Sequence, residues 1–280
     1  MKANASLTPA KLNLFLYVLK KRDDGYHDIL TLMQKVSLYD KVELSIEDGE
    51  GITIHTNNGT IPVNEENTAY IAAELFFKHK GIKQRHVDIT IEKHIPVQAG
   101  MGGASSDAAC VLKLLNRLLP SYTEQELFEL SKHIGSDVPF FMVDGNALAS
   151  GRGEILKKVE IKDPMYYVVV KPDFGVSTRW AYSRIKTLTK SEQAFMCDLA
   201  LYTKDDIIRC LQNDLEAVVE MHTPEIKTIK EKLLQSGAKA AAMTGSGSCI
   251  FGIFYEEQEA EKTFIKFSNE YTTVYKLRGI

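Results

Sequence analysis

The sequence predicts an α+β protein of two closely packed lobes, because strand-like alternation and amphipathic helix patterns are mixed along its 280 residues. The first half is rich in strand-like alternation, and the pattern restarts near residue 160 with a new apolar strand. No Pro/Ser-rich linker separates the halves, so the seam is expected within residues 155–165. An N-terminal lobe of residues 1–158 and a C-terminal lobe of residues 159–280 are therefore expected.

The N-terminal lobe begins with a strand at "AKLNLFLYV", where apolar residues alternate with Lys11, Asn13 and aromatic side chains. An Asp24-Gly25 pair then indicates a turn, and strand-like alternation returns at "KVELSIE", "GITIHT" and "HVDITIE". Helices are expected at residues 67–79, capped by Asn67, at residues 106–119, and at residues 123–133, where Thr123 and Glu126 form a capping box.

The C-terminal lobe opens with the short apolar strand "MYYVVVKP". Helices are expected at "STRWAYSRIKTL", at "DDIIRCLQNDLEAVVEM" and at "PEIKTIKEKLLQSG", the last of which is closed by Gly237. The stretch "KAAAMTGSGSCIFGIF" predicts a strand, a glycine turn and a second strand. A charged helix and the strand "TTVYKLRG" complete the lobe.

Composition excludes several classes of function. The formal net charge of -3 argues against non-specific binding of nucleic acid or of an anionic membrane surface. Lys11 and Asn13 interrupt the apolar run near the N-terminus, so a signal peptide is not expected there. No stretch approaches the ~20 apolar residues of a membrane span. A cytoplasmic protein is expected. Reduced thiols without a CxxC pair are expected at Cys110, Cys197, Cys210 and Cys249.

A glycine-rich stretch, "PVQAGMGGASSDAACVL", joins the end of a strand to the start of a helix. Backbone N–H groups at a helix N-terminus hold phosphate, and Ser105 or Ser106 is expected as the N-cap and as a hydroxyl for phosphate or Mg²⁺. A side chain at Gly103 is expected to block the phosphates and to resist a positive φ. The stretch is neither a Walker loop nor a dinucleotide fingerprint, and a tight turn that only needs small residues is the alternative.

Two charged residues stand in unusual contexts. Lys11 lies inside an apolar strand, where it either extends to water or meets an anion, and Asn13 on the same face favours the anion. Asp137 in "GSDVPFF" lies between a helix end and an apolar run, where burial can tune a general base. A solvated aspartate in a turn is the simpler interpretation of that stretch alone.

Two further stretches have both a functional and a structural interpretation. Tyr26 and His27, just beyond the Asp24-Gly25 turn, suit the stacking and hydrogen bonding of a flat ring, although a lone histidine is more often an ordinary surface residue. The second glycine loop, 245–247 in "MTGSGSCIFGIF", is either a plain hairpin or a second binding loop.

Taken in order, "PAKLNLFLYVLKKRDDGYHDI", "IPVQAGMGGASSDAA", "IGSDVPFF", "ALASGRGE" and "MTGSGSCIFGIF" resemble the GHMP small-molecule kinases over nearly the whole chain. The resemblance implies an N-terminal lobe like the second domain of ribosomal protein S5 and a ferredoxin-like C-terminal lobe. It implies transfer of the γ-phosphoryl group of ATP, with Mg²⁺, to an alcohol. Asp137 would then accept the hydroxyl proton and Lys11 would stabilise charge, whereas the metal ligands stay unassigned.

The narrower marks "PAKLNL", "DGYH" and "GSDVPFF" resemble members whose alcohol is a methylerythritol linked to cytidine diphosphate. Tyr26 and His27 would then hold the cytosine, with Asn13 polar to the substrate and Tyr182 as a second aromatic. The rivals are a kinase of homoserine or mevalonate and a catalytically silent nucleotide sensor. The ATP phosphates would be cradled by Pro96, Val97, Gln98, Ala99, Gly100, Met101, Gly102, Gly103, Ala104, Ser105 and Ser106.

Overall fold

The computed structural model describes residues 2–185, 188–191, 194 and 196–280. The strands are β1 Lys2–Lys21, β2 His27–Glu47, β3 Ile52–Thr56, β4 His86–Glu92, β5 Asn146–Ser150, β6 Ile155–Ile161, β7 Tyr166–Lys171, β8 Leu201–Tyr202, β9 Ala240–Met243, β10 Ile250–Phe254 and β11 Thr273–Arg278. The helices are α1 Thr68–His79, α2 Gly103–Leu118, α3 Glu124–Ser131, α4 Val138–Met142, α5 Thr178–Arg184, α6 Lys204–Cys210, α7 Glu216–His222, α8 Glu225–Gln235 and α9 Glu257–Ser268.

The predicted α+β class and several predicted helix ends are confirmed. The Asn67 side chain accepts the Ala69 N–H at 2.9 Å and caps α1. Thr123 and Glu126 form the expected capping box at the start of α3. Gly237, with a φ of +100°, follows the end of α8 in the backbone region that favours glycine.

One compact unit comprises the chain up to Ala10, Leu38–Val97 and Gly102–Asp144. In this unit β4 pairs antiparallel with the second half of β2 and parallel with β3. Burial alternates along β4, so that one face of the strand lies in the core. Helices α1 and α2 pack against each other, and α4 packs against α2 and α3.

The other compact unit comprises Lys11–Ser37, Gln98–Met101 and Gly145–Ile280. Here β11, β7, β10 and β9 form an antiparallel sheet in that order. The apolar run of β7 is buried because the strand is central in this sheet, and α8 and α9 pack against it or its neighbours. The first half of β2 pairs with β5, which pairs in turn with β6. The expected lobe boundary between residues 158 and 159 stays a prediction.

Three expected helices differ from the observed ones. The helix predicted over "DDIIRCLQNDLEAVVEM" is two helices, α6 and α7, because the backbone of residues 212–214 bonds instead to Leu16 of β1. The helix predicted over "STRWAYSRIKTL" ends at Arg184, and residues 186–187 of that stretch lie outside the described residues. Helix α2 begins at Gly103, three residues before its predicted start.

The cysteine prediction is wrong for one pair. Cys197 and Cys210 form a disulfide with a Cα–Cα distance of 5.9 Å, whereas Cys110 and Cys249 are buried free thiols. The Tyr17 hydroxyl donates a hydrogen bond to the Cys210 carbonyl at 2.6 Å, which attaches the bridge to β1. Among the helices of the described residues, none has the length and apolar character needed to cross a membrane.

Removing the disulfide should lower the stability of the chain. The bridge joins residues 13 apart in sequence. In the loop-closure account it lowers the entropy of the unfolded chain and so raises the free energy of unfolding by about 3 kcal/mol. We expect a Cys197→Ser/Cys210→Ser variant to unfold at a lower temperature than the oxidised protein in a calorimetric scan. The unaltered protein should lose the same stability when a phosphine reductant is added, and the double variant should not respond. A reductant effect of equal size in both proteins would contradict the bridge.

Candidate functional site

The glycine loop, residues 96–106, contains two glycines in the left-handed backbone region. The φ angles of Gly100 and Gly102 are +73° and +74°, values that a side chain disfavours. Helix α2 follows at once with Gly102 as its N-cap. The predicted capping by Ser105 or Ser106 is therefore wrong. The first-turn N–H groups of such a helix lack intrahelical acceptors and are the donors that a phosphate needs.

The loop residues predicted to contact ATP differ in exposure. Gln98 and Ala104 are exposed. The half-buried members are Pro96, Val97, Gly100, Gly102 and Ser105, and the buried members are Ala99, Met101, Gly103 and Ser106. The side chains of the four buried members expose little surface.

The Ser106 hydroxyl has an internal role. It donates to the carbonyl of Pro9 at 2.7 Å and lies 2.5 Å from the Thr8 hydroxyl. Thr8 in turn donates to the Ser106 carbonyl at 2.9 Å. These bonds attach the first turn of α2 to β1, and the expectation that Ser106 supplies a hydroxyl to phosphate or metal stays a prediction. Ser105, half-buried in the same turn, remains the candidate.

The positive φ expected at Gly103 is wrong, whereas the expectation that a side chain there blocks the phosphates stays a prediction. Gly103 lies in the first turn of α2 and does not have a positive φ. A Cβ atom there would lie 3.0 Å from Cγ2 of Ile95 and 3.1 Å from Nζ of Lys93. The residue is therefore restricted by side chains packed beneath the helix start.

Beneath Gly103, the buried ammonium of Lys93 bonds two buried carboxylates. It donates to Asp107 at 2.8 Å and also to Asp40. Asp40 additionally accepts the N–H groups of His94 and Ile95 at 2.6 and 2.8 Å. Oδ1 of Asp107, in contrast, has no hydrogen-bond partner among the described residues. Asp107 is thus the less stabilised carboxylate.

The electrostatics of this triad follow from that difference. Burial raises the pKa of Asp107 to about 7; the Lys93 ammonium opposes the shift and the Asp40 charge adds to it. Burial alone would lower the pKa of Lys93, but Asp107 and Asp40 outweigh it and the pKa is raised. The ammonium therefore stays charged, and Asp107 is the member that titrates near neutrality.

Asp137 is the N-cap residue of the short helix α4 and is half-buried. Its side chain does not bond the helix N–H groups, and Pro139 in the first turn removes one of them. The residues that follow it in α4 are buried. A carboxylate at the edge of an apolar segment has the setting of a general base.

Lys11 is buried, with 2% of its surface exposed, so the alternative that it extends to water is wrong. Its ammonium donates to the Gly100 carbonyl at 2.9 Å and to Oδ1 of Asn13. The Asn13 amide donates to the Thr31 hydroxyl at 2.8 Å, which fixes the orientation of its oxygen toward Lys11. Strand β1 and the glycine loop are also joined by the Lys11 N–H, which donates to the Met101 carbonyl at 2.9 Å.

The second glycine loop lies within residues 244–249, the connection that closes the β9–β10 hairpin. This whole connection, called the second glycine loop from here on, also contacts the first loop. A Cβ atom on Gly100 would lie only 2.1 Å from the Thr244 carbonyl oxygen, and one on Gly245 would lie 2.8 Å from the Gly100 oxygen. The Asn13 N–H donates to the Thr244 hydroxyl at 2.9 Å. Lys11, Asn13, Gly100, Thr244 and Gly245 thus form one cluster, which we call the loop–strand cluster.

The predicted cytosine-binding residues occupy two environments. His27 is buried and its ring stacks on Tyr182, with centroids 5.5 Å apart. Burial, together with the charge of Lys21, lowers the pKa of His27, so the imidazole is neutral at physiological pH. Tyr26 is 53% exposed, and the guanidinium of Arg152 lies 5.0 Å from its ring centroid.

Metal ligation by protein side chains alone is not evident from this geometry. Within the described ranges, no three His, Cys, Asp or Glu side chains are grouped as a metal ion requires. The half-buried hydroxyl of Ser105 is an oxygen ligand of the kind that Mg²⁺ accepts beside phosphate oxygens.

Comparison with known proteins identifies the family. The model of the GHMP kinases N terminal domain matches residues 67–145, and that of the GHMP kinases C terminal domain matches residues 203–271. A protein of Syntrophotalea carbinolica named 4-diphosphocytidyl-2-C-methyl-D-erythritol kinase is 43% identical over 91% of this chain and 90% of its own length. The chain belongs to the GHMP kinase family. A Syntrophomonas wolfei protein of the same name is 44% identical to this GHMP kinase over 96% and 95% of the two chains.

Solved structures of two kinases have a fold similar to that of this chain. A crystal structure of 4-(cytidine 5'-diphospho)-2C-methyl-D-erythritol kinase is 31% identical and covers 99% of this GHMP kinase and 100% of its own chain, with a TM-score of 0.80. The homoserine kinase of Cytophaga hutchinsonii has a TM-score of 0.77 at 19% identity, covering 100% and 95% of the two chains. At that identity the likeness concerns the fold alone.

Sequence reasoning missed several residues that shape the site of this GHMP kinase. Arg152, Lys93 and Asn213 were not singled out, although "GRGE" and "NDLE" are polar segments between apolar runs. The segment "EKHIP" places Lys93 at the end of a strand that leads into the glycine loop. A polar residue at the junction of a strand and a glycine loop is the sequence feature that could have identified Lys93.

Asp107 should make stability depend on pH in a predictable direction. Because its pKa in the folded chain, about 7, lies above the ordinary 3.8, the cost of ionising it grows as pH rises through that range and is complete above pH 7. Asp107→Asn removes this cost. Between about pH 5 and about pH 8, the free energy of unfolding of the variant should therefore rise by on the order of 2 kcal/mol relative to that of the unaltered protein, as measured by urea unfolding.

The control is Asp48→Asn, which alters an exposed carboxylate just after β2 whose partner is the guanidinium of Arg85 rather than a histidine. Its difference from the unaltered protein should stay nearly constant over the same pH range. A constant difference for Asp107→Asn as well would contradict the raised pKa.

Proposed function

We propose that this GHMP kinase transfers the γ-phosphoryl group of ATP to the 2-hydroxyl of 4-diphosphocytidyl-2-C-methyl-D-erythritol, a step of the methylerythritol phosphate route to isoprenoid precursors. The observation that carries the proposal is the loop–strand cluster. In it the buried Lys11 ammonium donates to the Gly100 carbonyl, within a glycine loop of the kind that binds phosphate. The names of relatives more than 40% identical over nearly the full chain support the choice of alcohol.

The glycine loop, residues 96–106, would bind the phosphates of ATP. The N–H groups at the start of α2 and the positive end of the helix dipole favour negative charge there, and Gly100 and Gly102 keep the backbone free of side chains. Mg²⁺, when bound, would neutralise phosphate charge, and Ser105 is the hydroxyl available to it. Phosphoryl transfer depends on this positioning and neutralisation more than on covalent chemistry.

Lys11 and Asp137 would act on the reacting groups. The Lys11 ammonium donates to Asn13 and to the Gly100 carbonyl, which fix its position. It would stabilise the charge that develops on the transferred phosphoryl group. Asp137 would accept the proton of the attacking 2-hydroxyl. We propose Asn13 as a substrate contact as well as the partner of Lys11.

The aromatic residues would select the cytosine. Tyr26 offers an exposed ring face for stacking. A neutral His27 has one donor and one acceptor nitrogen, which suits the hydrogen-bonding edge of a base. Tyr182 would be the second aromatic. We further propose a cytoplasmic enzyme that acts on small molecules, without nucleic-acid or membrane partners, and that has lobes of residues 1–158 and 159–280.

The test is an ADP-release assay with 4-diphosphocytidyl-2-C-methyl-D-erythritol, homoserine and mevalonate as alternative alcohols. We expect turnover with the cytidyl alcohol alone. Preferred turnover of homoserine or mevalonate would assign the chain to another branch of the family. ATP binding without turnover of any alcohol would favour a nucleotide sensor.

Asp137→Asn should abolish most of the activity while the chain stays folded. A general base contributes ~10²–10⁴ in rate, so kcat should fall by that factor while ATP still binds in a calorimetric titration. Asp144→Asn, which alters an exposed carboxylate seven residues on, serves as the matched control and should keep its kcat. Near-normal kcat in Asp137→Asn would refute the role of base.

His27→Ala should raise the KM for the cytidyl alcohol about tenfold or more and erode the preference over a uridyl analogue, because a site built for hydrogen bonds rejects a mismatched partner strongly. The KM for ATP should change little. His55→Ala, at an exposed position on β3, should leave both constants unchanged. If the unaltered enzyme used the uridyl analogue equally well, the cytosine site would be wrong.

A further inference from the structure

Asn213 lies in the segment between α6 and α7, where sequence periodicity predicts uninterrupted helix. Its side chain is 8% exposed and makes three hydrogen bonds. The amide nitrogen donates to the carbonyl of Met243 at 2.7 Å and to that of Gly245 at 2.8 Å. The amide oxygen accepts the N–H of Leu215 at 3.0 Å. Both amide hydrogens are therefore used on the second glycine loop and the strand end before it.

The segment that carries Asn213 is itself fixed to β1. The Leu16 N–H donates to the Gln212 carbonyl at 2.8 Å, and the Asp214 N–H donates to the Leu16 carbonyl at 3.0 Å. The Asp214 carboxylate accepts the Val18 N–H at 2.7 Å. Asn213 thus projects from a backbone that is registered on the same strand as Lys11 and Asn13.

The two carbonyls that Asn213 binds flank Thr244, a loop residue that contacts the first glycine loop. The Thr244 carbonyl would be 2.1 Å from a Cβ on Gly100, and its hydroxyl accepts the Asn13 N–H. The Thr244 hydroxyl also lies 3.4 Å from the Gly100 carbonyl, the acceptor for the Lys11 ammonium. A shift of the second loop would therefore change the position of this acceptor.

We propose that Asn213 is a positioning residue for phosphoryl transfer: its amide holds the second glycine loop against Gly100 and thereby fixes the carbonyl that receives the Lys11 ammonium. This inference rests on the proposed function. Asparagine is suited to the task because one planar group supplies two donors and one acceptor. Aspartate has the same shape but presents oxygens to both carbonyls, and a shorter side chain leaves at least one carbonyl unbonded.

The experiment compares Asn213→Asp with Asn213→Ser, which keeps one hydroxyl donor. Steady-state kcat and both KM values are measured with ATP and the cytidyl alcohol and are normalised to the folded fraction from circular dichroism. The control is Asn116→Asp, the same substitution at a side chain that also donates to a backbone carbonyl and accepts backbone N–H groups, at the C-terminal end of α2. Displacement of a reacting group by about 1 Å can cost ~10² in rate.

We expect kcat per folded molecule to fall about tenfold to a hundredfold in Asn213→Asp and less in Asn213→Ser, with the KM of the cytidyl alcohol within about threefold of normal. Asn116→Asp should lower the melting temperature without this loss of kcat. If Asn213→Asp does not fold, the smaller loss of kcat per folded molecule in Asn213→Ser decides. Normal kcat per folded molecule with a lowered melting temperature would overturn the positioning role. No turnover by the unaltered protein would instead overturn the proposed function, and the inference with it.

Discussion

Burial of the Lys11 ammonium is the constraint on which the rest of the loop–strand cluster depends. A buried charge is costly unless acceptors surround it, and here the acceptors are the Asn13 side chain and a carbonyl of the glycine loop. Because the second acceptor belongs to the backbone, the loop must approach β1 closely. The Thr31 hydroxyl orients Asn13 for this contact. Glycine at position 100 is required by its positive φ and by the carbonyl of Thr244.

The same need for close approach unites the two glycine loops. Each loop has a glycine at which a Cβ would overlap the backbone of the other, so neither loop could carry a side chain there without displacing its neighbour. The first loop is therefore shaped by direct backbone contact with residues 244–245, just before the N-terminus of α2. In the proposed site these glycines would serve packing as well as ligand access.

Local signals in the sequence predicted most of the elements, and distant contacts account for the failures. The Asn67 cap and the Thr123 box act within a few residues, so the sequence pattern is sufficient to predict them. The break between α6 and α7 arises from pairing with β1, almost two hundred positions away in the chain, and periodicity does not contain that information. In the candidate site, the glycine loop and Lys11 were predictable as local anomalies. The internal role of Ser106 and the Cys197 bridge depend on partners that only the fold brings near.

His27 and Tyr182 stack on each other, so a flat ring bound between them in the proposed site would replace this contact with contacts of its own. Two rings with centroids 5.5 Å apart leave no space for a third between them, since a sandwiched ring needs roughly 7 Å from two successive contacts. A base bound between the two rings would therefore separate Tyr182 from the imidazole. The gain from stacking would then be the difference between two similar contacts. In the proposed site, discrimination among bases would consequently depend on hydrogen bonds at the ring edge, and a wrong base would recover little through stacking alone.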